Sequence, residues 1–442
     1  MTKPTSRLLG MILAITLQPI SAEDLKLYSH GNPTAEEQYM LELINRARAN
    51  PAMEGRTLAE TNDPDIKLAL DYFNVDLPRL RSDFKSYPVR PPLAFNASLI
   101  ASSRRHSRDM AKHNFQAHTG SDGSTVGSRI AEAGFPGMML NESIYSDRVP
   151  STIFAHDGFN VDWGTGPRGV QPDLGHRDNI MSFGPTVYRE VGIGVVGMSA
   201  AHATAQNKLA ITQDFGIRIA SPDFLVGVAY YDVNNNGLCD PGEGIPSIKV
   251  TPATGDSYAV TSSSGGYAIP FSSAPGKSTV IFSGGGLAAP QRREFSINGE
   301  NAKVDLRITS GPPVVFLQKG DGTAREGGSS VDKEATFKVV RVGPVGGELK
   351  VSIFRPMTAV PGRAQSKDYE ISGIYPATTA PIRNADNRFT VVIPKNARSA
   401  TVKVTAIADK LIEPTELAEF TLGGSRSYRK GDPHAVAISI TP

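Results

Sequence analysis

Helical periodicity is confined to the N-terminal part of this 442-residue chain. Up to His113 apolar side chains recur three and four positions apart, whereas after Tyr188 they form short runs separated by Gly, Ser and Pro. From Pro222 onward no segment carries a helical pattern. The chain is also too long for one ordinary core. The sequence therefore predicts a multidomain protein, in which an N-terminal α/β domain is followed by two β-sandwich domains.

The first 22 residues have the pattern of a secretory signal peptide. Lys3 and Arg7 give a positive start, Leu8–Leu17 is an apolar run too short to span a bilayer, and Ser21-Ala22 offers a small-residue cleavage site. No later run reaches roughly 18 apolar residues, so the mature chain is expected to have no transmembrane segment. We therefore expect a protein that is secreted or held at the cell surface.

Changes of composition divide the rest of the chain. We predict an α/β domain over residues 23–221, a β-sandwich over 222–308 and a second β-sandwich over 309–442. The stretch TSGPP at 309–313 is typical of a stiff linker, and it separates the two sandwiches.

Charge and cysteine content limit the function and the cross-links of the chain. Removal of the signal peptide takes away Lys3 and Arg7, which leaves 44 basic residues against 44 acidic ones. That balance argues against a nucleic-acid partner, which would require a basic face for the phosphates. Because Cys239 is the single cysteine, no intramolecular disulfide can form. Bound Ca²⁺ is then the expected cross-link outside the cell.

Two helices are predicted in the α/β domain. The first, over 34–49, has a capping box formed by Thr34 and Glu37. The second, over 96–113, places His106 on the apolar face, where we expect it to pack in the core. Residues 55–90 have the character of a long, weakly patterned insertion. Three further histidines lack a motif and are predicted at the surface, namely His113, His156 and His202.

The stretch DVNNNGLCDPGE, residues 232–243, carries oxygen donors with the spacing of a Ca²⁺-binding loop. Gly237 stands at the sixth position, where such a loop turns sharply. An Asn/Gly-rich hairpin without an ion is the alternative. Together with SSSGGYAIP, the stretch resembles the repeat B-type domains of bacterial surface adhesins, in which this loop is a structural Ca²⁺ site. The predicted ligands are Asp232, Asn234, Asn236, Asp240 and Glu243.

Acidic residues recur at strand ends in the last domain, in the order E-G-G, D-Y and D-x-x-x-E-P-x-E before a closing F-x-L. This order resembles a Calx-beta domain, and the resemblance implies Ca²⁺ held between sandwich loops. Lys410 departs from the pattern, because the family often has a second acid there. Taken singly, each carboxylate is better explained as a solvated loop residue. The candidate ligands are Glu326, Asp368, Asp409, Glu413 and Glu416.

Two stretches imitate nucleotide-binding motifs. GIGVVG at 192–197 fits G-x-G-x-x-G, but its glycines lie inside a β-like run that leaves no room for the crossover helix. PGKST at 275–279 imitates a P-loop, yet Phe271 replaces the first glycine and no helix follows. Neither stretch predicts a nucleotide site.

Several motifs fall in order within the first domain: HSRDMAKHNFQAHTGSDGS at 106–124, NESI at 141–144, GHRDNIM at 175–181, REVGIGV at 189–195 and TQDFG at 212–216. With LELINRARANP and PPLAFNASL they make residues 34–217 similar to a bacterial member of the CAP superfamily (cysteine-rich secretory, antigen 5 and pathogenesis-related proteins). The resemblance implies an α-β-α sandwich with a central cleft lined by two histidines and two glutamates. By motif position these are His118, Glu142, His176 and Glu190.

The chemistry of these four residues allows more than one role. Two neutral imidazoles, His118 and His176, can bind Zn²⁺ or another divalent ion and leave positions open for water. Glu142 and Glu190 are the candidates to orient such a water as bases. The alternative is that the four residues brace the cleft without turnover. The insertion GTGPRGVQPDLG at 164–175 departs from the family pattern, so we expect a different cleft rim.

Three classes of function are consistent with these features. The first is an extracellular binding protein, in which a CAP cleft is displayed on Ca²⁺-stiffened β-modules, as in adhesins, and takes an extracellular or cell-surface ligand. The second is a metal-dependent hydrolase that uses the His/Glu cleft, although no activated Ser or Cys nucleophile is identifiable. The third is a lipid or sterol carrier, an activity that some CAP relatives have.

Overall fold

The structure is a computed structural model that describes residues 25–147, 149–197, 209–219, 222–271, 274–355, 364, 368–373, 388–408 and 414–442. The predicted signal peptide and His202 lie outside the described residues. The helices are α1 Ala35–Ala49, α2 Pro51–Ala59, α3 Pro64–Tyr72, α4 Leu77–Ser86, α5 Ala97–His113, α6 Val126–Glu132, α7 Thr152–Val161 and α8 Gly175–Met181. None of these described helices is long and apolar enough to cross a membrane.

The strands of the first two domains are β1 Lys26–Leu27, β2 Ala94–Phe95, β3 Gly137–Asp147, β4 Glu190–Gly197, β5 Leu209–Arg218, β6 Asp223–Tyr231, β7 Ile248–Pro252, β8 Ser257–Val260, β9 Gly266–Phe271, β10 Gly276–Gly284, β11 Gln291–Ile297, β12 Ala302–Lys303 and β13 Leu306–Ile308. Those of the last domain are β14 Val314–Lys319, β15 Thr323–Arg325, β16 Glu334–Val342, β17 Leu349–Phe354, β18 Tyr369–Ser372, β19 Arg388–Ile393, β20 Ser399–Ala406, β21 Glu416–Leu422, β22 Arg429–Lys430 and β23 Ala435–Thr441.

The first domain is an α-β-α sandwich around a four-stranded sheet of order β2-β4-β5-β3. Neighbouring residues of a strand point to opposite faces, and β5 shows what each face meets. Ala210 packs with Met110 of α5, whereas Ile211 belongs to the core formed with α1, α7 and α8. The predicted fold class is confirmed, because two layers of helices enclose the sheet and the described residues that follow contain strands without a helix.

The glycines of GIGVVG allow α5 to approach the sheet closely. A Cβ atom on Gly192 would lie 2.0 Å from the backbone of Leu99, and one on Gly194 would lie 2.6 Å from the backbone of Arg104. In this narrow gap Ser107 donates from its hydroxyl to the carbonyl oxygen of Gly194 over 2.8 Å. The motif therefore serves helix–strand packing, and no phosphate-binding turn is present there.

Residues 55–90, predicted as a long and weakly patterned insertion, contain the end of α2 and the whole of α3 and α4. α2, α3 and α4 each begin at a capping side chain, provided by Asn50, Asp63 and Asp76, with a proline in the first turn. These helices are short, and α3 buries only Ile66 and Leu70. Such a narrow apolar face gives little periodicity, but the repeated cap-then-proline pattern is a usable signal.

The middle domain is a sandwich of two sheets. One sheet has the order β1-β8-β7-β10-β11, and the other joins β12, β6 and β13, with β9 paired to β6. β1 runs parallel to β8, where Lys26 aligns with Ser257. The N-terminal segment thus lies on the middle domain, although the predicted boundary assigned it to the first domain.

The last domain is a second sandwich, with sheets of order β18-β20-β16-β14-β22 and β15-β23-β21-β17-β19. The middle domain contacts both of its neighbours. Lys303 of β12 lies 2.9 Å from a carboxylate oxygen of Glu42 on α1. Arg398 of the last domain donates to the carbonyl oxygen of Gly242 in the 232–243 loop over 3.0 Å. That loop therefore contacts the last domain directly.

Candidate functional site

A cavity of about 440 Å³ opens in the first domain between the middle of β3 and the N-terminal end of α8. His118, Glu142 and His176 line it together, so three residues of the predicted tetrad share one cavity. Most of the other lining side chains are polar as well. They are Gln116, Asn141, Gln171, Asp173 and Asn179, with Ala117, Ile144 and Gly175 completing the wall.

Glu142 holds the ring of His118. Nδ1 of His118 lies 2.8 Å from Oε1 of Glu142, and Arg129 donates to Oε2 of the same carboxylate over 2.6 Å. Burial raises the pKa of Glu142, but the hydrogen bond of His118 and the charges of Arg129 and His106 outweigh it, so the net pKa is lowered. Glu142 is therefore an ionised acceptor, and both of its oxygens are engaged.

Asp162 holds the second histidine in the same way. Its Oδ1 lies 2.8 Å from Nδ1 of His176, while its Oδ2 accepts the backbone N–H groups of His176 at 3.1 Å and Arg177 at 3.3 Å. Asp162 is fully buried and follows α7 in a left-handed conformation (φ 55°). The sequence analysis missed this residue because a single aspartate after a helix carries no motif.

Glu190 lies outside the cavity wall, which corrects its predicted place in the cleft. It is completely buried, and Arg218 donates to both of its carboxylate oxygens over 2.6 Å. Asn96 donates to the same carboxylate over 2.8 Å. Glu190 thus links the start of α5 to the end of β5, and its contacts are those of a structural ion pair.

The other histidines divide between core and surface. His106 is buried, as predicted, and Nε2 donates to the carbonyl oxygen of Ala117 over 2.9 Å. His113 is exposed, also as predicted. The prediction for His156 is wrong, because its ring is fully buried with Nε2 2.9 Å from Oε1 of Glu54. Burial raises the pKa of Glu54, but His156 and Arg46 together lower it to about 2.

The predicted insertion at 164–175 forms part of the cleft rim. It contributes Gln171, Asp173 and Gly175 to the cavity wall directly before His176. An isolated bridge between Trp163 and Val170 closes the base of this segment. The segment that departs from the family pattern therefore forms part of the wall of this cleft.

The cleft supplies two of the ligands that a zinc site needs. Nδ1 of each imidazole is bound to a carboxylate, which leaves Nε2 as the nitrogen available to an ion. Zinc sites in proteins use at least three protein ligands. Within the described ranges, no group of three or more His, Cys, Asp or Glu residues is placed to hold a metal ion. The residues present do not complete a zinc site, and zinc binding stays a prediction.

The 232–243 loop curls around its first carboxylate. Asp232 accepts the backbone N–H of Asn236 over 3.1 Å and that of Gly237 over 2.9 Å, and Gly237 has the positive φ of 78° that this turn requires. At the other end Glu243 is buried and accepts the N–H groups of Val233 and Asp240. The donor set is all oxygen, which fits the chemistry of Ca²⁺.

The described candidate ligands of the last domain are Glu326, Asp368 and Glu416, and each lies at or next to the end of a strand. Glu326 follows β15 and donates its backbone N–H to Thr441, while Glu416 pairs with Ile440 on the other side of β23. Asp368 is buried and accepts the N–H of Ile407 through its backbone. Asp409 and Glu413 lie outside the described residues.

Comparison with known proteins bears on the first domain. Residues 41–207 match the family model described as CAP, the Cysteine-rich secretory protein family. Together with the α-β-α sandwich, this match confirms the predicted CAP domain, and it covers less than half of the chain. A search of the curated proteins finds no match.

Solved structures offer weaker likenesses. The apo-form Calx CBD1 domain is 16% identical, with 30% of this chain and 97% of that chain covered and a TM-score of 0.22. An extracellular protein containing a SCP domain from Bacillus anthracis is 20% identical, with 36% and 44% covered and a TM-score of 0.21. The major pilin subunit BcpA of Bacillus cereus is 6% identical, with 50% and 68% covered and a TM-score of 0.20. Similarity at this level carries no conclusion about function.

Proposed function

We propose that this chain acts outside the cell as a binding protein. The cleft of its CAP domain takes an extracellular or cell-surface ligand, and the two β-sandwich domains carry that domain. The observation that supports the proposal most directly is that two imidazole rings in one cavity are held in place in the same way. His118 and His176 line one cavity, and each has Nδ1 2.8 Å from a buried carboxylate. Rings held in this way form a prearranged recognition surface.

Hydrolysis has less support than binding. The predicted general bases are Glu142 and Glu190, and a carboxylate serves as a base only with an oxygen free to accept a proton from water. Both oxygens of Glu142 are engaged by His118 and Arg129, and Glu190 is paired with Arg218 away from the cavity. A lipid carrier has little support either, because an apolar ligand would have to lie against a mostly polar wall.

The loop at 232–243 is the proposed calcium site of the middle domain. Asp232, Asn234, Asn236, Asp240 and Glu243 would hold the ion, and it would stiffen a loop that already contacts Arg398 of the last domain. The ion would then stabilise the β-modules in place of the disulfides that a single cysteine excludes. Burial raises the pKa of the Cys239 thiol well above its usual range, so a nucleophilic role there is disfavoured.

The test of the proposed function is cleft-dependent binding to cell-surface material. The mature protein and the variants His118→Ala and His176→Ala would be labelled with a fluorophore and sedimented with washed cells of the producing organism. We expect each variant to bind about tenfold more weakly, because it loses a hydrogen-bonding ring from the centre of the site. His113→Ala is the matched control, since His113 is exposed outside this cavity. Equal binding by all four proteins, with unchanged melting temperatures, would overturn the role of the cleft.

A further inference from the structure

The protonation of the cleft histidines follows from their partners. Glu142 accepts a hydrogen bond from the Arg129 guanidinium, and Asp162 accepts hydrogen bonds from two backbone N–H groups. Both side chains are therefore ionised carboxylates, which can only accept the hydrogen bond that joins them to the histidine rings. Each ring must therefore carry its proton on Nδ1, the nitrogen that faces the carboxylate. In the neutral imidazole Nε2 is then a lone-pair acceptor. The cleft thus offers two fixed acceptors that a ligand must meet with hydrogen-bond donors.

Amide side chains of the cleft add both hydrogen-bond donors and hydrogen-bond acceptors. Asn179 donates from its amide nitrogen to the hydroxyl of Ser143 over 3.0 Å, which leaves its carbonyl oxygen as a further acceptor. Gln116 accepts the backbone N–H of Ser146 over 3.0 Å, which leaves its NH₂ group as a donor. A hydroxyl group can donate one hydrogen bond and accept others, so it matches this mixed surface with a single group.

Charge within the cleft does not favour a cation. The carboxylate of Glu142 is balanced by Arg129, and that of Asp162 is satisfied by three N–H groups. Asp173 stands at the rim, where it is exposed and its charge is screened by solvent. A ligand ammonium would therefore gain little from a buried, uncompensated negative charge.

The size of the cavity and the residues of its wall limit the chemical class of the ligand further. A volume of about 440 Å³ lies within the roughly 300–1,000 Å³ of small-ligand sites. Ile144 is the one large aliphatic side chain in its wall. A polar ligand with several hydroxyl groups fits these conditions, whereas an acyl chain or a sterol ring does not.

We infer that the ligand of the cleft is a neutral, polyhydroxylated carbohydrate, whose hydroxyl groups donate to Nε2 of His118 and His176. This inference rests on the proposed binding function and specifies the chemical class of its ligand. Asp173 then acts as a rim residue with a small contribution, and the two imidazoles provide the main contacts.

The experiment compares treated preparations of the same cell-surface material. Periodate cleaves vicinal diols and so destroys the glycans that carry them, whereas a protease removes surface proteins. We expect cleft-dependent binding, defined as the binding that His118→Ala and His176→Ala lose and His113→Ala keeps, to disappear after periodate and to persist after protease. Neutral hexasaccharides of glucose and of N-acetylglucosamine serve as soluble competitors, and at least one should reduce the binding tenfold at millimolar concentration.

Ionic strength separates a carbohydrate from a cation. A neutral sugar should bind within about twofold when the NaCl concentration rises from about 0.05 M to about 0.5 M, while a cationic ligand should bind about tenfold more weakly, because salt screens charge. Cleft-dependent binding that survives periodate and that no competitor reduces, or that the salt weakens tenfold, would overturn the carbohydrate and leave the binding function standing. Failure of all competitors after a positive periodate result would also overturn it. If no binding depends on the cleft, the proposed function fails and this inference fails with it.

Discussion

Arg307 donates from Nε to Oδ2 of Asp232 over 2.6 Å, so a guanidinium holds the first carboxylate of the proposed calcium loop. The same arginine reaches the side-chain oxygen of Asn235 in that loop. Arg307 therefore ties β13 to the loop by a contact that a calcium ion would have to share. Because two positive charges at such short separation repel each other, the arginine should lower the affinity of the loop for Ca²⁺.

Arg307→Gln should increase the Ca²⁺ affinity of the loop. We expect a gain of about tenfold, since the substitution removes the competing charge and keeps a side chain of similar length. Calorimetric titration of the calcium-free protein measures it, with Arg292→Gln on an exposed position of β11 as the control. Asp232→Ala should remove both the binding and the calcium-dependent rise in melting temperature. An unchanged rise in the Asp232→Ala protein would show that the ion binds elsewhere.

Local signals in the sequence predicted the main elements, while the partners of the site residues depended on tertiary structure. The capping box of Thr34 and Glu37 places the start of α1 correctly, because it acts within one turn. The order of the motifs likewise predicted that His118, Glu142 and His176 share one cavity.

The misplacement of Glu190 has a physical cause. β4 is buried along most of its length, so both of its faces carry apolar residues. The alternation of polar and apolar residues therefore does not indicate on which face of the sheet the side chain of Glu190 lies. Glu190 turns to Arg218, a partner 28 residues away. Asp162 was missed for a related reason, since its role arises from a left-handed residue that places its carboxylate at the start of α8. Neither relationship leaves a periodic signal.

Glu190→Gln should destabilise the first domain without changing the chemistry of the cleft. The substitution leaves the guanidinium of Arg218 without its charged partner in a largely buried position, at a cost of about 3 kcal/mol in the free energy of unfolding. The double variant Glu190→Gln/Arg218→Gln should recover part of that loss. Urea unfolding measures both, with Glu300→Gln at an exposed position as the control. If Glu190→Gln instead abolished cleft-dependent binding at unchanged stability, Glu190 would belong to the site.

His30 should make stability depend on pH in the weakly acidic range. Burial lowers the pKa of His30 to about 4 from its ordinary 6.5, and its ring stacks on Phe95. The unfolded chain therefore binds more protons than the folded chain between these two values, so stability falls as the pH drops from about 6.5 to 4. The full loss is about 3 kcal/mol, from 1.36 kcal/mol for each pKa unit.

The difference between the wild type and His30→Gln isolates this contribution from the carboxylates that titrate in the same range. We expect the stability of the wild type relative to the variant to decline between pH 7.5 and pH 4.5, as measured by urea unfolding at each pH. His434→Gln, at an exposed position near the C-terminus, is the control for replacing a histidine outside the core. A constant difference between wild type and His30→Gln would mean that His30 is not buried as a neutral ring.

The last prediction concerns zinc. Two imidazoles without a third protein ligand should form a weak site, because structural and catalytic zinc sites use three or four. We expect calorimetric titration of the wild type to show a dissociation constant of about 10 μM or weaker, and His118→Ala or His176→Ala to abolish the remaining heat. Glu142→Gln should weaken binding less than either histidine variant, because it acts through the orientation of His118. His113→Ala again serves as the control. Tight, stoichiometric binding by the wild type that both histidine variants lose would establish a complete metal site, and with it a third ligand drawn into the cleft by the ion.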